Sequence, residues 1–218
     1  MRLDLKYGGI EVFMGKIVYL MGKSSSGKDT VYKKLLEEKE LSLHTVALYT
    51  TRPIRVGEKE GVEYHFTDEE GFQKLQREGK VIEDRLYRTV QGGWRYFTVA
   101  QEDDFEPERN YLMIGTLESY EKVRDYFGKE RMLPVFIDLD DGVRLQRALD
   151  RERAQEVPQY EEMCRRFLAD TQDFGEEKIR AAGIGKRFVN DDLDRCLAEI
   201  LCYIKETCGK QETDQKKE

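Results

Sequence analysis

Residues 15–30 read Gly-Lys-Ile-Val-Tyr-Leu-Met-Gly-Lys-Ser-Ser-Ser-Gly-Lys-Asp-Thr, and the order of their parts decides the fold. Ile17 to Met21 form a short, apolar, partly β-branched run that suits a buried strand. Val31 and Leu35, with Tyr32 and Leu36, then recur at i, i+4 as one face of a helix. Between them lies Gly22-x-x-x-x-Gly27-Lys28, whose glycines permit a loop with backbone N–H groups converging on phosphate oxygens at a helix N-terminus. Lys28 adds a mobile positive charge for the outermost phosphates. A serine-glycine connector is the plain alternative, but strand, loop, lysine and helix stand in register for a phosphate cradle. The cradle comprises Gly22, Lys23, Ser24, Ser25, Ser26, Gly27 and Lys28, with Asp29 and Thr30 at its exit.

In cradles of this kind the residue after the lysine is Ser or Thr, whose hydroxyl holds Mg²⁺. Here it is Asp29, followed by Thr30. A carboxylate is a good ligand for a hard cation, so Asp29 is a candidate Mg²⁺ ligand. It equally complements the positive end of the helix dipole, and the sequence leaves both roles open.

At 218 residues the chain is long enough for one substantial core with an inserted subdomain or lid. Forty-four acidic residues against thirty-seven basic give a net charge of −7, which disfavours broad nucleic-acid binding because that needs a basic face. No stretch reaches the ~18–20 uninterrupted apolar residues of a membrane span, and the start lacks the basic-then-apolar pattern of a secretory signal. The expectation is a cytoplasmic protein without a membrane or nucleic-acid partner. Cys164, Cys196, Cys202 and Cys208 form no Cys-x-x-Cys pair, and His44 and His65 are the only histidines. Neither a zinc site nor a disulfide framework is suggested.

Residues 1–14 are expected to form an added edge strand, built on Ile10, Val12 and Phe13, or a loose extension. The first helix should fade near Leu41, and residues 45–49 read as a second core strand. That strand delivers Thr50-Thr51-Arg52-Pro53-Ile54-Arg55 to its C-terminal end, where open α/β sheets bind ligands. Residues 50–99 change character: strand-like runs at 63–66, 81–87 and 94–99 predict an inserted, mainly β subdomain. Thr67-x-x-Glu70 predicts a capping box opening a helix with Phe72 and Leu75 facing inward. Arg52 and Arg55 suit either an ordinary solvated turn or a guanidinium clamp on a second phosphate.

The core resumes at Asn110, with strands at 111–114 and 133–137 around a helix at 117–127; strand and helix alternate, which implies a parallel sheet. Residues 140–170 are dense in arginine (Arg144, Arg147, Arg151, Arg153, Arg165, Arg166) and interrupted by Pro158. They read either as solvated helices with i, i+4 charge pairing or as a lid that carries arginines over transferring phosphates. Residues 187–190 predict the last strand and 192–207 the last helix, with Leu193, Leu197, Ile200, Leu201 and Ile204 on one side. The tail, residues 208–218, is expected to be disordered, since nothing apolar follows Gly209.

The cradle, the run Thr50-Thr-Arg-Pro-x-Arg-x-Gly-Glu-x-x-Gly-x-x-Tyr-x-Phe66 and the terminal Val189-Asn-Asp-Asp-Leu193 together resemble the guanylate kinase family over roughly residues 15–207. The second motif is far more specific than a cradle alone. The resemblance implies an α/β P-loop core with a parallel sheet flanked by helices (15–49, 100–139 and 171–207). It also implies a mainly β monophosphate-binding insertion (50–99) and a helical, arginine-rich lid (140–170). The implied activity is transfer of the γ-phosphoryl of ATP to a nucleoside monophosphate, GMP, with Mg²⁺ as cofactor. Lys28, Arg52, Arg151, Arg153 and one of Arg165 or Arg166 then match the catalytic cations. Arg52, Arg55, Tyr64 and Tyr96 match the clamp on the acceptor phosphate, and Asn190 and Asp191 the segment beside the ATP adenine. Glu83 and Thr98 match the guanine-reading carboxylate and hydroxyl. The carboxylate accepts from the N1–H and 2-amino groups of guanine, while the hydroxyl donates to O6.

The chain departs from the family at several points. Leu48 stands for a serine near the base, Phe97 for the glycine of Tyr-Gly-Thr, Met113 and Gly115 for the two aspartates of Asp-x-Asp, and Asp29 for the cradle serine. Residues 89–93 also lengthen a hairpin. With polar groups removed and Phe97 adding bulk beside the base, the expectation is GMP or dGMP as preferred acceptor, with weaker discrimination and affinity than the family norm. Two other readings compete: a kinase of the same fold for another phosphorylated acceptor, and a non-catalytic interaction module. The intact Gly22, Gly27 and Lys28 argue against the second.

Overall fold

The computed structural model describes residues 15–55, 57–62, 64–89, 92–100, 105–106 and 108–209. The expectations for residues 1–14 and for the tail from 210 onward lie outside those residues, as do 90 and 91 of the lengthened hairpin. Chain order gives β1 (Ile17–Met21), α1 (Lys28–Glu37), β2 (His44–Thr45), β3 (Leu48–Thr50), β4 (Tyr64–Phe66), α2 (Glu69–Arg77), β5 (Val81–Thr89) and β6 (Gly92–Val99). There follow β7 (Tyr111–Gly115), α3 (Leu117–Phe127), β8 (Met132–Asp138), α4 (Asp141–Arg153), α5 (Tyr160–Asp173), α6 (Glu176–Ala181), β9 (Arg187–Val189) and α7 (Leu193–Gly209).

All five residues of β1 are buried, as expected of a parallel strand covered by helices on both faces. It is the central strand of a parallel sheet ordered β2-β7-β1-β8-β9. Because side chains alternate across a strand, Val18 and Leu20 pack with Val31 and Leu35 of α1 and with Cys196, Ile200 and Ile204 of α7. Ile17, Tyr19 and Met21 pack on the other side with Leu117, Tyr120 and Val123 of α3. The two layers fix the direction of β1, and so the point at which the phosphate loop leaves the sheet.

A second sheet, β4-β3-β6-β5, holds the inserted region; β3 and β4 run parallel and the other neighbours antiparallel. The single core strand expected at 45–49 is therefore two strands. His44 and Thr45 pair with β7 in the first sheet, whereas Leu48, Tyr49 and Thr50 pair with β4 and β6 in the second. Val46 and Leu48 both pack against the large core, so the apolar pattern runs unbroken across the junction. In the β5–β6 hairpin, Glu83, Arg85 and Tyr87 lie opposite Thr98, Tyr96 and Trp94. The alternate residues Phe97 and Val99 pack with Phe72 of α2 in a separate small core.

Helix α2 is capped one residue later than the expected box: the Asp68 carboxylate accepts the Gly71 N–H at 2.8 Å. A carboxylate is a strong N-cap acceptor, and its position displaces Thr67 from that role. Helix α7 continues past Thr207 to Gly209, with Cys208 packed at the edge of the core, so residues 208 and 209 belong to the helix and not to the expected tail. Among the described residues, no helix is long and apolar enough to cross a membrane.

Candidate active site

Both cradle glycines are required by close approaches. A Cβ on Gly22 would stand 2.5 Å from the Ile137 carbonyl oxygen, and one on Gly27 would stand 2.2 Å from Asn190 Nδ2. Gly27 also has φ +89°, in the left-handed region that glycine enters at little cost. Gly27 opens α1 without a side-chain cap, which leaves first-turn N–H groups for an anion. Asn190, expected beside the ATP adenine, is buried and donates Nδ2–H to the Ser26 carbonyl at 2.7 Å. Asp191 is exposed and paired with Arg195 of α7. The hydroxyl oxygens of Ser25 and Ser26 are buried without a hydrogen-bond partner.

The Lys28 ammonium is mostly buried, 3.9 Å from Asp29 Oδ2. Burial pulls its pKa below the ordinary lysine value against the opposing pull of Asp29, and the charges of Arg166 and Arg151 act in the same direction as burial. Those two arginines are therefore the expected lid residues that bear on the cradle, and Arg166 reaches Ser24 Oγ at 3.4 Å. Arg153 and Arg165 face solvent, next to Asp150 and Glu162 of their own helices. The structure does not bring these two to the cradle.

Arg147 was not among the expected site residues. With Arg151, one turn along α4, it lines a recess of about 320 Å³ together with Ser25, Gly27, Asp29 and Thr30. Arg147 also donates to the Asn190 carbonyl at 3.2 Å. Its i, i+4 spacing to Arg151 was the available signal. Arg144 is a buried strut: it donates to the Ser24 carbonyl at 2.9 Å, pairs with Asp141 at 2.7 Å, and stacks 4.7 Å from the Phe167 ring. Lys23 pairs with Asp141 at 3.2 Å, and the Ser24 N–H donates to Asp170 Oδ2 at 2.7 Å. Asp29 is four-fifths exposed at the edge of the recess.

On the second sheet, Arg52 is buried over the Tyr64 and Phe66 rings, and its Nε donates to the Tyr96 hydroxyl at 3.2 Å. Its fork donates to both Glu58 oxygens, at 2.7 and 2.5 Å. Glu58 also accepts the Arg55 N–H at 2.8 Å, while the Arg55 side chain is exposed. Glu58 lies inside the motif quoted above but was given no role. Its hydrogen bonds to Arg52 hold its carboxyl at a pKa of about 2.

Glu83 has a fully buried side chain. Its Oε1 accepts from the Thr98 hydroxyl at 2.8 Å, and its Oε2 lies 3.3 Å from Arg85 Nε. Tyr19 reaches this region from β1: its hydroxyl donates to Ser119 Oγ at 2.7 Å, and burial raises its phenol well above the ordinary value, with Arg85 and Glu83 both within electrostatic range. Gly115 opens no space, because a Cβ there would meet the Tyr19 hydroxyl at 2.2 Å. Met113 and Leu48 belong to the large core. Phe97, expected to add bulk beside a bound base, points away from the face that carries Thr98 and Tyr96. It is on the opposite face of β6, with ring centroids 4.9 Å from Phe72 and 5.4 Å from Tyr49.

Residues 14–103 match the family model described as guanylate kinase. The chain is 29% identical to a guanylate kinase of Porphyromonas gingivalis over 200 residues, covering 90% of this chain and 100% of that one. It is 29% identical to that of Bacteroides thetaiotaomicron over 204 residues, covering 93% and 94%. A shorter stretch of 68 residues is 44% identical to the Schizosaccharomyces pombe guanylate kinase, covering 31% and 34%. The crystal structure of guanylate kinase from Anaplasma phagocytophilum superposes with TM-score 0.60 at 24% identity over 94% of this chain and 96% of that one, which shows the shared fold.

The Arg52–Glu58 pair makes stability depend on pH with a definite sign. The folded pKa of Glu58 is depressed from 4.5 to about 2, so its contribution is present above the unfolded value and lost as pH falls through about 2. In urea titrations between pH 7 and pH 2, the wild type should be more stable than Glu58→Gln at neutrality, and the gap should close across that acid window. A gap that stays constant with pH would mean that the pair contributes no linked stability.

Proposed function

We propose, for a chain of the guanylate kinase family in sequence and fold, that it is a kinase transferring the γ-phosphoryl group of ATP to GMP, giving ADP and GDP. One observation carries the reading. A single face of the second sheet presents Arg52, Tyr64 and Tyr96 together with a buried carboxylate, Glu83.

Phosphoryl transfer asks for in-line positioning and neutralised charge rather than a general base. Lys28 and the loop N–H groups hold the ATP phosphates, with Arg147, Arg151 and Arg166 supplying the surrounding positive charge. Arg52 and Arg55, with Tyr64 and Tyr96, hold the acceptor phosphate, and Glu58 keeps the Arg52 fork oriented. Glu83 accepts from guanine N1–H and the 2-amino group. Adenine offers an acceptor at N1 to that carboxylate, and a site built on polar matching rejects such a base by several powers of ten, ~10⁴ or more.

Among the described residues, no three His, Cys, Asp or Glu side chains form a metal cage. Mg²⁺ commonly takes one or two carboxylates plus substrate phosphates, and a single exposed carboxylate at the edge of the recess fits that pattern. Asp29, exposed beside Lys28, would hold the ion, and the ion would supply neutralisation of the phosphate charge. Replacing it by Asn should raise the Mg²⁺ concentration needed for half-maximal rate while the melting temperature stays close to that of the wild type. An unchanged Mg²⁺ dependence would leave Asp29 as a partner of the helix dipole only.

Initial rates should be measured for GMP, dGMP, AMP, CMP and UMP. GMP or dGMP should be the best acceptor, and Glu83→Gln, whose amide presents one acceptor where the carboxylate presents two, should lose most of that preference. A different best acceptor, or an order of preference untouched in Glu83→Gln, would move the assignment to a kinase of the same fold for another phosphorylated acceptor.

A further inference from the structure

The donor expected to read guanine O6, the Thr98 hydroxyl, already gives its hydrogen to Glu83 Oε1 at 2.8 Å. Tyr19 likewise gives its hydroxyl hydrogen to Ser119. Arg85 remains. It is two residues along β5 from Glu83 and opposite Tyr96, hence on the same face of the sheet as the other acceptor-site residues. Its side chain is 14% exposed, with Nε 3.3 Å from Glu83 Oε2 and Nη2 3.5 Å from Oε1.

Despite this proximity, Glu83 Oε2 and Arg85 Nε are both buried without a hydrogen-bond partner. Buried charged groups left with unfilled hydrogen-bonding positions are costly. A ligand that donates to Oε2 and accepts from the guanidinium would relieve both. Guanine has that pattern: N1–H and the 2-amino group are donors, and O6 and N7 are acceptors on the adjoining edge. A guanidinium fork fits O6 and N7, and this is the commonest base-specific contact of arginine with guanine in DNA.

We propose that Arg85 is a specificity-determining residue that donates to the O6/N7 edge of the acceptor base while Glu83 accepts from its N1–H/2-amino edge. The proposal rests on the guanine reading above. Adenine is mismatched at both halves, since its 6-amino group faces the guanidinium and its N1 faces the carboxylate. Hypoxanthine separates the halves: it keeps O6, N7 and N1–H but lacks the 2-amino group.

The test is kcat/KM for GMP, IMP and AMP in the wild type, Arg85→Lys and Arg85→Ala, with KM for ATP measured alongside. Arg85→Lys keeps a cation beside Glu83 and removes the fork, so the fold is preserved where Arg85→Ala leaves a buried carboxylate unpaired. Arg85→Lys should lose about 5- to 150-fold on GMP and on IMP by the same factor, the range one bidentate base contact supplies. AMP turnover and KM for ATP should not fall in step. If the wild type prefers GMP but folded Arg85→Lys keeps its rates on GMP and IMP, Arg85 only neutralises Glu83 and the proposal is overturned alone. If the wild type shows no preference for GMP over AMP, the guanine reading fails and the proposal falls with it.

Discussion

The bond from Asn190 Nδ2 to the Ser26 carbonyl is the constraint on which the site depends. It leaves no room for a side chain at Gly27 and fastens the end of β9 to the phosphate loop, and Arg147 adds a second tie from α4 to the same asparagine. Asn190 is 164 residues from Ser26 in sequence, so this tie forms only when the far strand of the sheet is in place. A cradle held this way presents its N–H groups in advance, and a preorganised set of donors costs little reorganisation when phosphate charge arrives.

Three ion pairs around the cleft each bury one partner and leave the other partly exposed: Arg52 with Glu58, Glu83 with Arg85, and Arg144 with Asp170. Buried ion pairs are weak stabilisers, because desolvation cancels much of their attraction, yet losing one partner is costly. Their value here lies in aim. Glu58 turns the Arg52 fork, Arg144 and Asp170 hold Ser24 from both its carbonyl and its N–H, and Glu83 holds Arg85 on the face of the second sheet that also carries Tyr96.

The core of the fold was legible because its signals are local. β1, the glycine-bounded loop and α1 follow from one apolar run, two glycines and an i, i+4 stripe within residues 15–35. The split of residues 44–50 between two sheets was not legible, since Val46 and Leu48 pack on the same core and no glycine or proline marks the crossing. The sequence pointed to groups that the structure gathers around the cleft where a residue type announces its charge, as with Lys28, Arg52 and Glu83. The arrangement was hidden where a contact spans the sequence. Gly115 read as a lost aspartate, whereas the Tyr19 hydroxyl fills its place from 96 residues away in the chain, across the β1–β7 pairing. Arg147 was hidden differently, since its spacing to Arg151 is also that of an ordinary solvated helix face.

The proposed reaction is transfer between two bound nucleotides rather than ATP hydrolysis. The ³¹P NMR spectrum of the native protein with ATP, Mg²⁺ and excess GMP tests this most directly, because each phosphorus is identified as it forms. Transfer predicts ADP and GDP appearing in equal amounts, with the GMP resonance declining in step and no inorganic phosphate. ADP accompanied by inorganic phosphate, with GMP unchanged, would contradict it.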